Sequence, residues 1–313
     1  MNSVSVIICT YRRQKWVEDL LESVSKQTVL PIEVLIVDST PDTIDYTLPQ
    51  GLRTDLIKSD VMQLTYQRNM GVRAAKGEII LHLDDDTYLR PDFIEQVLKV
   101  FLADEAKTIG AVSGYVTNQW GISELAPEIS LKWFQRLGIY DGDYAPGSIS
   151  PSGIFVELNA LQPFKGIGKT DFLSGCSFAV RAEVYNNFQH PEVINKYGGE
   201  DKIFSRMIAG DWELYIAGDA ELEHYSAPGG ARQSNYKETK STVKFHLYAK
   251  KIYGKNDSNT TKLRLYYILS ALRIFGISML MFLSIVKFRK SKIWFMRSVG
   301  YLSGALSRVD IDE

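Results

Sequence analysis

Cysteine is nearly absent from this 313-residue chain: Cys9 and Cys176 are the only two. That excludes a scaffold stapled by disulfides. Because Cys9 falls in an apolar run that reads as a core strand, two free thiols in a reducing compartment are expected. No secretory leader is expected, since the chain enters its first strand at once and Val4 to Cys9 is too short for a signal core. The apolar stretch Ile274 to Val286 is shorter than the roughly 20 residues of an ordinary spanning helix. At 45% hydrophobic and 23% charged, the chain is neither disordered nor collagenous. Its length suits one large α/β domain or two smaller ones. Net charge is almost lacking too, at −1, but it is unevenly spread. From Lys262 onward nine Lys/Arg stand against three Asp/Glu, a net of +6, so the preceding residues carry −7. An acidic body with a basic, hydrophobic tail is not a nucleic-acid pattern and points to a membrane surface.

What is present is organised around Glu78 to Asp92. Ile79 to Leu83 is a short apolar run, as for a strand covered on both faces of a parallel sheet. It ends in Asp84, Asp85 and Asp86. Pro91 then stands where a helix can begin, with Asp92 and Glu95 in its first turn and Phe93, Ile94, Val97, Leu98 and Phe101 as its apolar stripe. The acidic triplet therefore lies at the carboxyl end of a buried strand, where open α/β sheets bind ligands. Three adjacent carboxylates repel one another, so either water screens them or a cation sits among them. In an extended segment Asp84 and Asp86 point to one side, and their oxygens suit Mg²⁺ or Mn²⁺. The alternative is an acidic loop leading into a helix. An EF-hand is excluded, because that loop needs alternating ligands and a glycine at its sixth position.

Strand and helix alternate along the rest of the first half. Val4 to Cys9 reads as a strand, Thr10 to Arg13 as a polar turn, and Lys15 to Gln27 as an amphipathic helix with Trp16, Leu20, Leu21 and Val24 inward. Val34 to Val37 is a second strand ending in Asp38-Ser39-Thr40-Pro41. Leu64 to Lys76 is helical and carries Gln67, Arg68 and Asn69, with Gly77 as its C-terminal cap. Gly110 to Val116 is a further strand, and the alternation implies a doubly wound parallel sheet. Trp120 to Phe164 is irregular, with Trp133, Phe134, Tyr140, Tyr144 and Phe155 among Gly, Pro and Ser. It is either a packed insertion or an aromatic wall for sugar rings. Gly166 to Thr170 looks like part of a P-loop, but position 163 is Pro163, so that motif is discarded. Phe172 to Arg181 is strand-like, with Gly175 allowing a ligand to approach closely. Glu200 and Asp201 head a helix with Ile203, Phe204, Met207 and Ile208 at helical spacing. Glu213 to Ala217 is another strand, and His224 lies just beyond it.

Val-Ile-Ile-Cys-Thr-Tyr-Arg-Arg, then Val-Leu-Ile-Val-Asp-Ser, then the run from Gln67 to Asp86 together resemble the family 2 glycosyltransferases of GT-A fold, over residues 4 to 230. The resemblance implies a Rossmann-like, mostly parallel sheet flanked by helices. It implies that Thr10, Tyr11, Asp38 and Arg68 border the base and ribose of a nucleotide, with Arg13 and Asn69 beside them. It implies that Asp84 and Asp85 meet the diphosphate, and that Asp86, with Asp84 and His224, holds Mn²⁺ or Mg²⁺. Gly-Gly-Glu-Asp at 198 to 201 is similar to the family's acceptor-side motif, which makes Asp201 the general base with Glu200 beside it. Many relatives have a second acid or a Gly-Ser turn where this chain has Ser39-Thr40-Pro41. Read from the residues alone, Thr10 and Tyr11 also fit an ordinary turn, and Asp38 an Asx turn. Arg68 fits a solvated helix residue, Glu200-Asp201 a helix cap, and His224 a structural histidine. His82, His190 and His246 receive no role.

The expected organisation is a GT-A domain over 1–240, with a nucleotide-sugar half over 1–118 and an acceptor half over 119–240, and a helical membrane-associating region over 241–313. The expected activity is inverting transfer of a sugar, from a UDP or dTDP donor, to a glycan or lipid-linked acceptor. The expected place is the inner, cytoplasmic face of the cell membrane, peripherally attached. The tail helices lie in the interface, span it tilted, or pack in an oligomer. A nucleotidyltransferase fits less well, because the turn after the first strand has Arg12 and Arg13 but no glycine. An inactive nucleotide-sugar-binding scaffold is the remaining alternative, against which the intact acidic motifs speak.

Overall fold

A computed structural model describes residues 3–119, 136, 145–158, 161–192, 199–225, 235–253, 259–282 and 288–308. The chain divides into two compact units. The first comprises Met1–Ser123, Glu157–Asn195 and Glu200–Gly230; the second comprises Glu124–Val156, Lys196–Gly199 and Ala231–Glu313.

The first unit is built on a nine-stranded sheet. Its strands are β1 (Val4–Thr10), β2 (Glu33–Asp38), β3 (Thr54–Lys58), β4 (Ile79–Asp84), β5 (Thr87–Leu89), β6 (Ile109–Val116), β7 (Ile167–Lys169), β8 (Ser177–Arg181) and β9 (Glu213–His224). The order is β3-β2-β1-β4-β8-β6-β9-β5, with β7 also on β9. Strands β1 to β4, β6 and β9 run one way, and β8 runs against its neighbours β4 and β6. Its helices are α1 (Gln14–Ser25), α2 (Leu64–Ala74), α3 (Phe93–Ala103) and α4 (Glu200–Ile208).

Alternation along each strand distributes the core. Val4, Val6 and Ile8 of β1 face the cluster that takes Leu20 and Leu21 from α1 and Phe93, Val97 and Phe101 from α3. Ile7, between them, joins Leu35, Val37 and Ile80 against Met70 and Val72 of α2. Two covered faces explain why β1, β2 and β4 read as continuous apolar runs. Leu20 and Leu21 are fully buried, and truncating either to Ala costs about 2–5 kcal/mol.

Several sequence expectations are corrected. Helix α2 ends at Ala74, and Gly77 is not its cap. The buried Glu33 carboxylate accepts from Ser5 Oγ (2.6 Å) and Lys76 N–H (2.7 Å), while Ser5 Oγ accepts from Gly77 N–H at 2.8 Å. This clamp draws the chain so close to β1 that a Cβ on Gly77 would lie 2.4 Å from Ser5 N. Helix α3 starts at Phe93, so Glu95 is in its first turn as expected while Asp92 precedes it, and Gln27 Oε1 accepts Ile94 N–H there at 3.0 Å. Only Ser177–Arg181 of the Phe172 to Arg181 segment is strand. Strand β9 is longer than its apolar start suggested and includes His224.

The second unit contains α5 (Asn235–Tyr253), α6 (Thr261–Phe282) and α7 (Phe288–Ala305). Its core joins Ile154 and Val156 to Val243, Leu247, Leu263, Tyr267 and Ala305.

Two glycine substitutions should separate close approach from flexibility. Gly77→Ala must push backbone apart and should lower stability by about 1–3 kcal/mol. Gly276→Ala, in α6 with nothing within 4 Å of the new methyl, should raise it by about 0.5–1 kcal/mol. Urea unfolding of both variants measures the two values, and equal effects would contradict this reading of Gly77.

Candidate active site

The sheet order brings the carboxyl ends of β2, β1 and β4 side by side, so Asp38, Thr10 and Asp84 are register neighbours or nearly so. The turn after β1 bends sharply: Arg12 has φ 55° and its N–H goes to Thr40 Oγ1 at 2.7 Å. Gln67 of α2 secures both strand ends, donating to Thr10 O (3.1 Å) and Val37 O (2.7 Å).

The three aspartates separate. Asp85 turns to β1, accepting from Thr10 Oγ1 at 2.8 Å and from Arg13 Nη1 at 2.8 Å. Arg13 also reaches Asp86 at 3.5 Å. Asp84 and Asp86 instead converge on His224, and one ligand atom from each of the three lies within 4.8 Å of the others. Two carboxylate oxygens and an imidazole nitrogen at that spacing fit a hard divalent cation.

His224 is held from two sides. Its Nε2 lies 3.0 Å from Asp86 Oδ1, and its Nδ1 lies 2.9 Å from Gln119 Nε2. Asn118 brackets its backbone, accepting His224 N–H at 3.0 Å and donating to its carbonyl at 3.1 Å. Sequence reasoning missed both residues, which follow β6 and carry no motif. Burial alone would lower the His224 pKa, but hydrogen bonds that its ring donates to Asp86 and Cys176 outweigh it and hold it up at about 10. Burial pushes Asp84 up to about 7, against the attraction of Arg68 and His224.

Arg68 is not a solvated helix residue. It is 2% exposed. Its guanidinium donates to Gly175 O at 2.9 Å and Glu200 Oε1 at 3.2 Å, and lies 3.5 Å from Asp84 Oδ1. It thus joins the carboxyl end of β4 to the start of α4. What approaches Gly175 is Asp201: a Cβ there would lie 2.9 Å from Asp201 Oδ2. Burial first, and the charge of Glu200 second, raise the Asp201 pKa above the usual carboxylate range. Asp38 is 1% exposed; its oxygens accept from Thr40 N–H at 2.7 Å, an Asx turn, and from Tyr46 OH at 3.1 Å. Asn69 is not brought to the aspartates. It pairs with the backbone of His190 and with Glu192. Tyr11 is half-buried, with Arg12 over its ring at 5.3 Å. Trp133, Phe134, Tyr140 and Tyr144 lie outside the described residues.

Residues 5–186 match the model of glycosyl transferase family 2. Chondroitin synthase of Pasteurella multocida strain Pm70 is 33% identical over 121 residues, 37% of this chain and 12% of its own length. The uncharacterized glycosyltransferase YwdF of Bacillus subtilis strain 168 is 32% identical over 102 residues, 31% of this chain and 37% of its own. This chain therefore spans a minor part of either relative. In fold it is similar to the mannosyltransferase PcManGT from Pyrobaculum calidifontis, solved with GDP-Man and Mn²⁺. The TM-score is 0.57 at 16% identity, over 97% of this chain and 86% of that one.

Removing the buried Arg68 cation should leave the half-buried carboxylates of Asp84 and Glu200 without their shared partner. Arg68→Met should destabilise the fold by about 1–3 kcal/mol, read by chemical denaturation. A loss below about 1 kcal/mol, as for an exposed ion pair, would contradict the strut geometry.

Proposed function

The chain belongs to glycosyl transferase family 2, and from that membership we propose that it transfers a sugar from a nucleoside diphosphate sugar to an acceptor hydroxyl with inversion at the anomeric carbon. The observation that carries this reading is the convergence of Asp84, Asp86 and His224 at the strand ends, tied through Arg68 to Glu200, the chain neighbour of Asp201. Mn²⁺ or Mg²⁺, held by Asp84, Asp86 and His224, would neutralise charge on the leaving diphosphate.

The chain's own groups do the rest. Asp201 takes the proton from the acceptor hydroxyl as that oxygen bonds the anomeric carbon and the diphosphate oxygen departs with its electron pair. Its raised pKa makes it a stronger base than a solvated aspartate. Glu200 positions the acceptor, held in place by Arg68. Thr10 and Arg13 fix Asp85, which shapes the turn that presents Asp86. UDP or dTDP is the favoured donor nucleotide. Asp38 closes β2 beside Thr10, at the strand ends where the family resemblance puts the base of the nucleotide. The acceptor is a glycan or a lipid-linked precursor of a cell-surface polysaccharide, and the enzyme works peripherally on the cytoplasmic face of the membrane.

Asp201→Asn keeps the shape and removes the base. Turnover should fall by about 10²–10⁴-fold, while calorimetric affinity for the donor nucleotide stays within twofold (roughly 0.4 kcal/mol). Near-normal turnover, or a product that keeps the donor's anomeric configuration by NMR, overturns the assignment. The wild-type kcat should fall with acid at a pH above the roughly 3.9 of an ordinary aspartate. The sign follows from the raised pKa, since protonation silences the base below it and activity is full above it. In competition for the donor site UDP or dTDP should lead, and GDP binding best would refute the nucleotide preference.

A further inference from the structure

Helices α6 and α7 form an antiparallel hairpin with two unlike sides. On one side Leu263, Tyr267, Ala271, Ile274 and Ser278 of α6 are buried, spaced by four, four, three and four residues. Ser291, Trp294 and Ser298 of α7 are buried likewise. The pairing is specific. Ser278 Oγ donates to Ser291 O at 3.1 Å, and Ser291 Oγ returns a bond to Ser278 O at 2.9 Å. Tyr267 stacks on Tyr301, with ring centroids 5.6 Å apart.

The other side is apolar and uncovered. Of twenty exposed large hydrophobic side chains among the described residues, ten fall between Leu265 and Leu306. Leu272, Phe275 and Met279 form the stripe on α6, and Phe295, Val299 and Leu302 the stripe on α7. Phe275 and Phe295 approach to 6.0 Å, so the two stripes make one face. Concentrated apolar exposure of this kind marks an interaction surface.

Charge identifies the occupant. From Lys262 to Arg308 the chain carries nine Lys/Arg and no Asp/Glu, and Lys262, Arg273 and Lys292 are exposed. A second copy docking symmetrically would bring like charges together, whereas an anionic lipid surface complements them. We propose that the shared outer face of α6 and α7 seats in the plane of an anionic bilayer, with its aromatic and aliphatic side chains below the headgroups and its cations among them. This deepens the membrane reading given above and rests on it. Spanning is disfavoured although Thr261–Leu280 is long and apolar enough. It would put exposed Arg273 deep in hydrocarbon. With α7 paired to α6, it would also draw the exposed Lys292 into the membrane. Lying in plane leaves the exposed Lys262, Arg273 and Lys292 at the interface.

Flotation of the full chain with vesicles tests this. Phosphatidylcholine containing phosphatidylglycerol should carry the protein, pure phosphatidylcholine should carry at least about tenfold less, and high salt should release part of it. Phe275→Glu with Phe295→Glu should lower partition by a further factor of about ten or more, while Leu102→Glu, on exposed α3 surface, should leave it unchanged. Alkaline carbonate should strip the wild-type protein from vesicles, as it does an interfacial helix. Three results overturn the proposal: no preference for the anionic lipid, retention through carbonate, or a lipid-independent dimer that the double substitution disperses. If the double variant misfolds by circular dichroism, lipid preference and carbonate release of the wild type still decide. Metal-dependent hydrolysis of the sugar nucleotide in detergent is read in parallel, so a failed docking surface is told apart from a failed transferase assignment.

Discussion

The Arg68 guanidinium lies buried between Asp84 and Glu200 and also holds the Gly175 carbonyl. Burying one cation among carboxylates is tolerable only because hydrogen bonds and opposite charge offset its desolvation. That requirement fixes three separate pieces of chain at once: the end of β4, the bend before β8 and the start of α4. Gly175 lacks a side chain where Asp201 must come close, and Glu200 is turned toward Arg68. The halves proposed to serve donor and acceptor are thus coupled by charge as well as by packing.

Protons complete the electrostatics. Burial raises Asp84 to about 7, and Asp86 with Cys176 keeps His224 up at about 10 against its burial. A divalent cation at these three groups would have to displace those protons, so its binding releases them and tightens as pH rises. Cys9, the register partner of Asp84, is pushed up to about 12 by burial, which keeps that thiol protonated and unreactive beside the acidic cluster.

The parts of the fold legible in the sequence are those with both faces buried. β1, β2 and β4 announce themselves as apolar runs, and the strand ends then place Thr10, Asp38 and Asp84. β3 was not legible, because it is an edge strand whose Leu56 is exposed and whose Asp55 and Lys58 break any run. Gly77 was misread because a cap and a close approach call for the same residue. Arg68 was legible as important only through the motif around it, since a lone charge on a helix reads as solvated until the tertiary fold closes over it. Asn118 and Gln119 left no mark at all: their meaning comes from the pairing of β6 with β9, which sets them against His224.

The most direct measurement is a Mn²⁺ titration of the full chain with nucleoside diphosphate present, following free Mn²⁺ by electron paramagnetic resonance at one pH below and one above the value of about 7 to which burial raises Asp84. One saturable site per chain, tighter at the higher pH and abolished in Asp86→Ala, is expected. The absence of a saturable site, or one unchanged by Asp86→Ala, would contradict the assignment of the acidic cluster as the donor diphosphate centre.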